Sequence, residues 1–215
     1  MLYKNLIEGK IAEVEASSDF CQAQIGKIEK YTDLIRLWSA THNIVSKQLT
    51  EQDLWENIYD SIFALSQLKS LFFSPEHLGD KIIDAGAGGG FPGIPLSIIF
   101  ATKRFVLIDS DRKKCSFLRA AKANLGLDNV SVVNKRLEDL EPVGLIVTKA
   151  AFSPSHAGTL AMAAKKGASI IIWSLPKSTH DFVAVLQNHD CVLSQKIGYT
   201  LPGEKERSIL VFSKL

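Results

Sequence analysis

The chain has 215 residues, of which 46% are hydrophobic and 22% charged, with a formal net charge of +2; that composition describes a globular protein of about one to two domains. No apolar run reaches the roughly 18 residues of a membrane span, and the N-terminal residues lack the apolar stretch of a secretory leader. Cys21, Cys115 and Cys191 are odd in number and far apart, which argues against a disulfide framework and for reduced thiols in a cytoplasmic protein, and neither cysteine nor histidine spacing makes a metal site.

Residues 1–80 read as helices. Leu6, Ile7, Ile11 and Val14 share one face, Ile28, Tyr31, Leu34, Ile35 and Trp38 recur at steps of three and four, and Leu54, Trp55, Ile58, Ile62, Leu65 and Leu68 do the same. Thr50 precedes that third helix as its N-cap, with Asp53 three residues on. A linker with Ser74-Pro75 and Gly79 leads to the first strand. From Lys81 onward strands alternate with helices. The strands are expected at 81–84, 105–109, 130–134, 144–148 and 168–173. The helices are expected from Pro92, over 113–124 with Gly126 as left-handed cap, over 156–166 ending at Gly167, and over 179–187. Runs 191–197 and 208–213 close as a hairpin across Pro202-Gly203. This alternation predicts an α/β fold with a parallel sheet covered by helices on both faces. Residues 1–80 form a helical region packing on the core, and 81–215 a doubly wound, Rossmann-like domain.

The chemistry concentrates after the first strand, in Asp84-Ala85-Gly86-Ala87-Gly88-Gly89-Gly90-Phe91-Pro92-Gly93. Gly86, Gly88 and Gly90 allow a tight turn and close approach of a ligand to bare backbone. Dinucleotide enzymes carry a similar turn, but two features point elsewhere. Asp84, two residues before the first glycine, would repel a pyrophosphate and can accept from a ligand ammonium. Pro92-Gly93 stands where the third glycine of the dinucleotide fingerprint belongs. Both favour S-adenosylmethionine, whose methionine end is zwitterionic. The alternative for Asp84 is a carboxylate that organises the loop by accepting backbone N–H groups. Asp109 ends the second strand, at the distance where an acid accepts from ribose hydroxyls; its alternative is the N-cap of the next helix, a role open also to Ser110 and Asp111.

At the end of the third strand, backbone groups of Leu137-Glu138 can flank the adenine. Arg136 either faces the same crevice or pairs with Glu138 or Asp139. Lys149, at the end of the fourth strand, is either an electrostatic partner for cofactor or phosphate or a member of a structural ion pair. Charge is unevenly placed. Residues 1–80 carry 7 Lys/Arg against 12 Asp/Glu, whereas residues 101–136 carry nine bases against three acids. That basic field, including Lys113 and Lys114, suits a polyanion or is a solvated helix face.

These residues resemble the bacterial small-subunit ribosomal RNA guanine-N7 methyltransferases, once called glucose-inhibited division protein B. The similarity runs over about residues 30–215. Its most specific part is the Phe91-Pro92-Gly93-Ile94-Pro95 tail of the glycine turn. Leu107-Ile108-Asp109-Ser110 with Lys113-Lys114, Arg136-Leu137-Glu138, Trp38-Ser39-Ala40-Thr41-His42-Asn43 and Ile58-Tyr59-Asp60-Ser61 match further motifs. The resemblance implies a class I S-adenosylmethionine-dependent methyltransferase fold with an N-terminal helical extension. It implies cofactor contacts at Gly86, Phe91, Leu137, Glu138 and Lys149, and methylation of a guanine N7 in 16S rRNA. The partner is then 16S rRNA or the small ribosomal subunit, met through Lys113, Lys114 and Arg136 by a monomer. The chain departs from the family pattern at Lys149, where Arg is usual, at Glu56-Asn57, where Arg-His is usual, and at Asn43-Ile44-Val45 and Trp173-Ser174-Leu175-Pro176-Lys177. Lys lacks the bidentate fork of Arg, so the resemblance is firmer for the cofactor pocket than for the RNA face. The rival readings are a methyltransferase of the same fold acting on a protein or small molecule, a non-catalytic RNA-binding module, and a nicotinamide-dependent dehydrogenase, for which no hydride-relay residue is found.

Overall fold

Four helices precede the first strand in the computed structural model, which describes residues 2–15, 17–45, 49–77 and 79–215. They are α1 (Leu2–Ala12), α2 (Ser18–Ser39), α3 (Glu51–Ile62) and α4 (Leu65–Phe72). Thr50 caps α3 through a reciprocal box: Asp53 N donates to Thr50 Oγ1 at 3.2 Å, and Thr50 N donates to Asp53 Oδ2 at 2.9 Å. The helix expected to run through Leu68 breaks at Phe63-Ala64, where Ala64 leaves the helical region at φ −98°, ψ 37°. Periodicity conceals the break because Leu65 and Leu68 beyond it bury into the same core as Leu54 and Ile58 before it.

The strands are β1 (Ile82–Ala85), β2 (Phe105–Ile108), β3 (Val130–Val133), β4 (Val143–Lys149), β5 (Ala164–Ser174), β6 (Cys191–Leu201) and β7 (Lys205–Lys214). They form one sheet in the order β3-β2-β1-β4-β5-β7-β6. β1 to β5 are parallel, and β7 enters antiparallel between β5 and β6. Helices α5 (Gly93–Ile99), α6 (Arg112–Leu125), α7 (Gly158–Met162) and α8 (Thr179–Gln187) complete the fold. Successive strand residues point to opposite faces. Ile82, Leu107, Leu145 and Val211 therefore join the helices α1–α6 in one core, while Ile83, Ile108, Ile146 and Phe212 meet α7 and α8 in the other.

The helix expected over 156–166 is shorter. A single 3-10 turn, Pro154–His156, precedes the five residues of α7, and β5 begins at Ala164, opposite Val143. Gly167, at φ +78°, lies inside β5 rather than at a helix end. A left-handed glycine suits an irregular strand as well as a helix cap, and the β4–β5 register shifts between Val143 and Leu145. Gly126 does close α6 in the left-handed conformation, at φ +60°. Pro92 precedes the first residue of α5 instead of opening it. Strand order reverses around β1, which lies between β2 and β4, and open parallel sheets bind ligands at the carboxyl ends of such strands. Among the described residues, no helix is long and apolar enough to cross a membrane.

Candidate functional site

The loop after β1 is held from below by its neighbours. Gly86 N and Ala87 N both donate to Ile108 O at 2.9 Å, and Gly88 N donates to Asp109 Oδ2 at 2.9 Å. The Tyr31 hydroxyl, on α2, donates to Gly89 O at 2.5 Å, which ties the helical region to the loop. Gly86 sits at φ +72°, and a Cβ there would collide with Ala151 on the turn after β4. Glycine at 86 is thus required twice, by backbone conformation and by the close approach of a second chain segment.

Asp84 lies beneath this loop, fully buried, and does not line the cavity above it. Its Oδ2 accepts from Gly93 N at 2.8 Å, while Oδ1 is buried without a partner. Of the two roles read for Asp84, these contacts are those of a carboxylate that braces the loop against α5. Burial pushes its pKa up to about 7, with the Gly93 N–H opposing the rise and the nearby Asp109 charge adding to it.

Asp109 is braced at the end of β2. Oδ1 accepts from Asp111 N at 2.8 Å and Oδ2 from Gly88 N. Asp111 is the N-cap of α6, accepting from Lys113 N at 2.7 Å and Lys114 N at 3.2 Å. The capping role thus falls to Asp111. Asp109 faces the cavity, and each of its carboxylate oxygens has a second acceptor site for a ligand. Asn134 Nδ2 donates to Asp109 O at 2.9 Å and draws the end of β3 against β2.

The cavity over these strand ends measures about 590 Å³. It brings together Gly86, Gly88, Phe91, Asp109, Leu137, Glu138 and Lys149 with Lys114 and Arg136. Of the expected site residues, Asp84 and Lys113 are not on its wall. Leu137 and Glu138 open a 3-10 turn, Leu137–Asp139, in which Leu137 is buried and Glu138 exposed. Arg136 makes no ion pair among the described residues; its backbone N–H donates to Asp139 Oδ2 at 3.4 Å and its carbonyl accepts from Asp139 N at 3.3 Å.

The far wall was only partly foreseen. Lys149 Nζ donates to Asn57 Oδ1 at 2.7 Å and pairs with Asp60 Oδ2 at 3.0 Å, and it lies 5.6 Å from the centre of the Phe91 ring. The side chains of Lys149 and Asp60 are 11% and 8% exposed, so this is a nearly buried pair that still touches the cavity. Asp60 is itself clamped by the Tyr199 hydroxyl on Oδ1 and by Trp173 Nε1, which donates to Asp60 O at 2.9 Å. Burial and then the Asp60 charge drive the Tyr199 phenol upward, so it stays a donor. Ala150, just after Lys149, has a positive φ of +56°, a strained conformation for a residue with a Cβ. Glu56, the neighbour of Asn57, points the other way, accepting from Tyr3 and Lys205. Asn57, Asp60, Trp173 and Phe152 carry no site role in the sequence reading because their partners lie far away in the chain; the sequence signals were that Asn57 and Trp173 break the family pattern and that Asp60 sits in the matching Ile58–Ser61 motif.

A second cavity of about 380 Å³ adjoins the first. Asn57, Lys149, Ala150 and Phe152 line both, and Asp60, Trp173, Phe182 and Arg207 line the second alone. Among the described residues, no group of three or more His, Cys, Asp or Glu side chains is placed to hold a metal ion.

Comparison with known proteins agrees with this architecture. The fold resembles magnesium protoporphyrin IX methyltransferase of Synechocystis PCC 6803, solved with bound SAM (TM-score 0.62, 15% identity, 86% of this chain and 97% of that one). It also resembles a SAM dependent methyltransferase of Aquifex aeolicus (TM-score 0.55, 16% identity, 73% and 93%). At such identities the likeness concerns the fold, a class I methyltransferase sheet with added N-terminal helices. Closer in sequence is the ribosomal RNA small subunit methyltransferase G of Cellvibrio japonicus, 38% identical over 149 residues, 67% of this chain and 63% of that one. The protein of that name from Sodalis glossinidius is 37% identical over 128 residues, 60% and 58%. The chain thus spans less than two thirds of the length of these curated relatives. The family model described as rRNA small subunit methyltransferase G matches residues 24–206, and on that match the chain belongs to the rRNA small subunit methyltransferase G family.

Proposed function

We propose that this chain transfers a methyl group from S-adenosylmethionine to N7 of a guanine in 16S rRNA of the small ribosomal subunit. The observation that carries the reading is the pairing of two adjoining cavities, one over the glycine loop and one at the ends of β4 and β5, within a chain of this family.

The residues of the first cavity fit the cofactor. Its floor is bare backbone: a Cβ on Gly88 would meet nothing nearer than Gly86 O at 3.8 Å. Asp109 has acceptor sites left for ribose hydroxyls, and Leu137 with Ile108 offers an apolar slot for adenine. When bound, S-adenosylmethionine supplies an electrophilic methyl carbon, which N7 takes through its lone pair while the C–S electron pair stays on sulfur. Guanine N7 needs no deprotonation, so no general base is assigned. The protein's contribution is alignment of acceptor and methyl carbon, and enforced proximity of this kind accounts for large rate factors. The rigid loop and the clamped Lys149 hold the two walls between which that alignment is set.

Lys113, Lys114 and Arg136 form the basic rim that receives the RNA backbone. Lys113 and Arg136 are exposed, and Lys114 reaches the cavity edge. Replacing Lys113 and Lys114 with Glu is expected to weaken RNA association and flatten its dependence on salt; an unchanged slope would make them a solvated face. The reading as a whole is tested by calorimetry with S-adenosylmethionine and by transfer of labelled methyl to isolated small subunits and to naked 16S rRNA. Expected are cofactor binding and label in RNA. Cofactor binding with label only in protein or small molecules would reassign the substrate, and no cofactor binding would leave a non-catalytic RNA-binding module.

A further inference from the structure

We infer that the ammonium of Lys149 reads the O6 atom of the acceptor guanine from the junction of the two cavities. This rests on the guanine-N7 reading above and adds the residue that selects the base.

Three observations carry it. First, Lys149 lies on the wall shared by the cavity over the glycine loop and the cavity at the ends of β4 and β5. A group at that junction meets whichever edge of an acceptor base faces the methyl donor. For guanine that edge is N7, and O6 is its neighbour on the same edge. Second, the ammonium has three N–H donors. Asn57 Oδ1 and Asp60 Oδ2 take two of them, and among the described residues no acceptor takes the third. Third, the two occupied donors are rigidly held. Asn57 Nδ2 donates to Asp53 O at 2.9 Å, which fixes the amide with Oδ1 toward Lys149. Asp60 is held through its backbone carbonyl by Trp173 and through Oδ1 by Tyr199. The third donor is therefore oriented before any ligand arrives, as a selective contact requires.

The chemistry of the second cavity suits a nucleotide. Phe152, half-buried on the wall of both cavities, offers apolar ring surface for a base, the usual way an unstacked RNA base is held. Arg207 lines the same cavity and makes no ion pair among the described residues, so its guanidinium is available to a phosphate. With the base against Phe152, guanine and hypoxanthine present an acceptor at position 6 to Lys149. Adenine presents an amino group there, two donors would face each other, and the third donor of the ammonium would be left without a partner.

The test uses nucleotides in place of RNA, with the whole chain saturated with S-adenosylhomocysteine. Binding of guanosine, inosine, adenosine and 2-aminopurine riboside 5′-monophosphates is measured by calorimetry. Guanosine and inosine monophosphates are expected to bind alike, and the two nucleotides without O6 at least about tenfold more weakly. Lys149→Met is expected to bring the four affinities within about twofold of one another, and Lys149→Arg, which keeps donors at the junction, to retain the preference. The ligand series on the unaltered protein stands even where Lys149→Met does not fold. Preference for 2-aminopurine over inosine would mean that the opposite edge of the base is read, and would overturn the inference. So would an unchanged preference in Lys149→Met, or no binding of guanosine monophosphate. Failure of S-adenosylhomocysteine to bind at all would instead sink the methyltransferase reading itself.

Discussion

The two walls of the first cavity are built by different means. The wall from β1 and β2 is mostly backbone: glycines, amide groups and one braced carboxylate, Asp109, whose partners Asp111 and Gly88 are backbone N–H groups of adjoining loops. The wall from β4 is a chain of side chains, Asn57–Lys149–Asp60–Tyr199, whose members lie 92 and 139 residues apart in sequence. A backbone wall tolerates side-chain change around it and serves a constant ligand. A side-chain wall is rewritten by single substitutions, and that is where this chain departs from the family pattern, at Asn57 and Lys149. Under the proposed function, the first wall serves the cofactor and the second lies toward the acceptor.

The largest effect is expected on the side-chain wall. Asp60→Ala leaves the Lys149 ammonium without its counter-charge in a nearly buried place, which should destabilise the fold by about 3–5 kcal/mol in chemical denaturation. A loss below about 1 kcal/mol would show that solvent screens the pair and that this wall is no more rigid than a surface.

Next comes Asp84 beneath the backbone wall, where the effect depends on pH. Its folded pKa is raised to about 7 from 3.8. Between these values the folded state holds a proton that the unfolded state has released, so the group's contribution to stability is full below pH 4 and is lost as pH rises through 7. Asp84→Asn keeps an acceptor for Gly93 N–H and removes the titration. Its stability relative to the parent should improve by about 2–3 kcal/mol between pH 5 and pH 8. Parallel stability curves for the two proteins would refute this.

Asp109→Ala should weaken S-adenosylmethionine binding by about 1–3 kcal/mol in calorimetry, through lost ribose hydrogen bonds and a loosened Gly88. Unchanged affinity would show that the backbone alone makes that wall. The smallest change is at the neighbouring cap. Asp111→Ala should cost about 1 kcal/mol of stability with cofactor affinity retained, which separates the two adjacent acids by role.

Several features were legible because they are local. The alternation of strands and helices after Lys81, the Thr50–Asp53 cap, the left-handed Gly126 and the final hairpin all depend on residues within a few positions of one another. The break at Phe63-Ala64 was not legible, because both helices turn apolar residues toward one core and the spacing carries across it. Gly167 misled for a related reason: a positive φ marks a turn of the backbone without saying which element holds it.

By itself the sequence determined the order of elements, the glycine loop and the acid after β2, since turn conformation, capping and periodicity are set by neighbouring residues. Only the tertiary structure decided which acid lines the cavity and which lies beneath the loop. It also decided that Asn57 and Asp60, from a helix far upstream, hold Lys149 between two cavities. The physical reason is that burial and pairing of charge depend on which segments meet in space, and an ammonium or a carboxylate has the same letter in the chain whether it is braced, paired or left with one donor to spare.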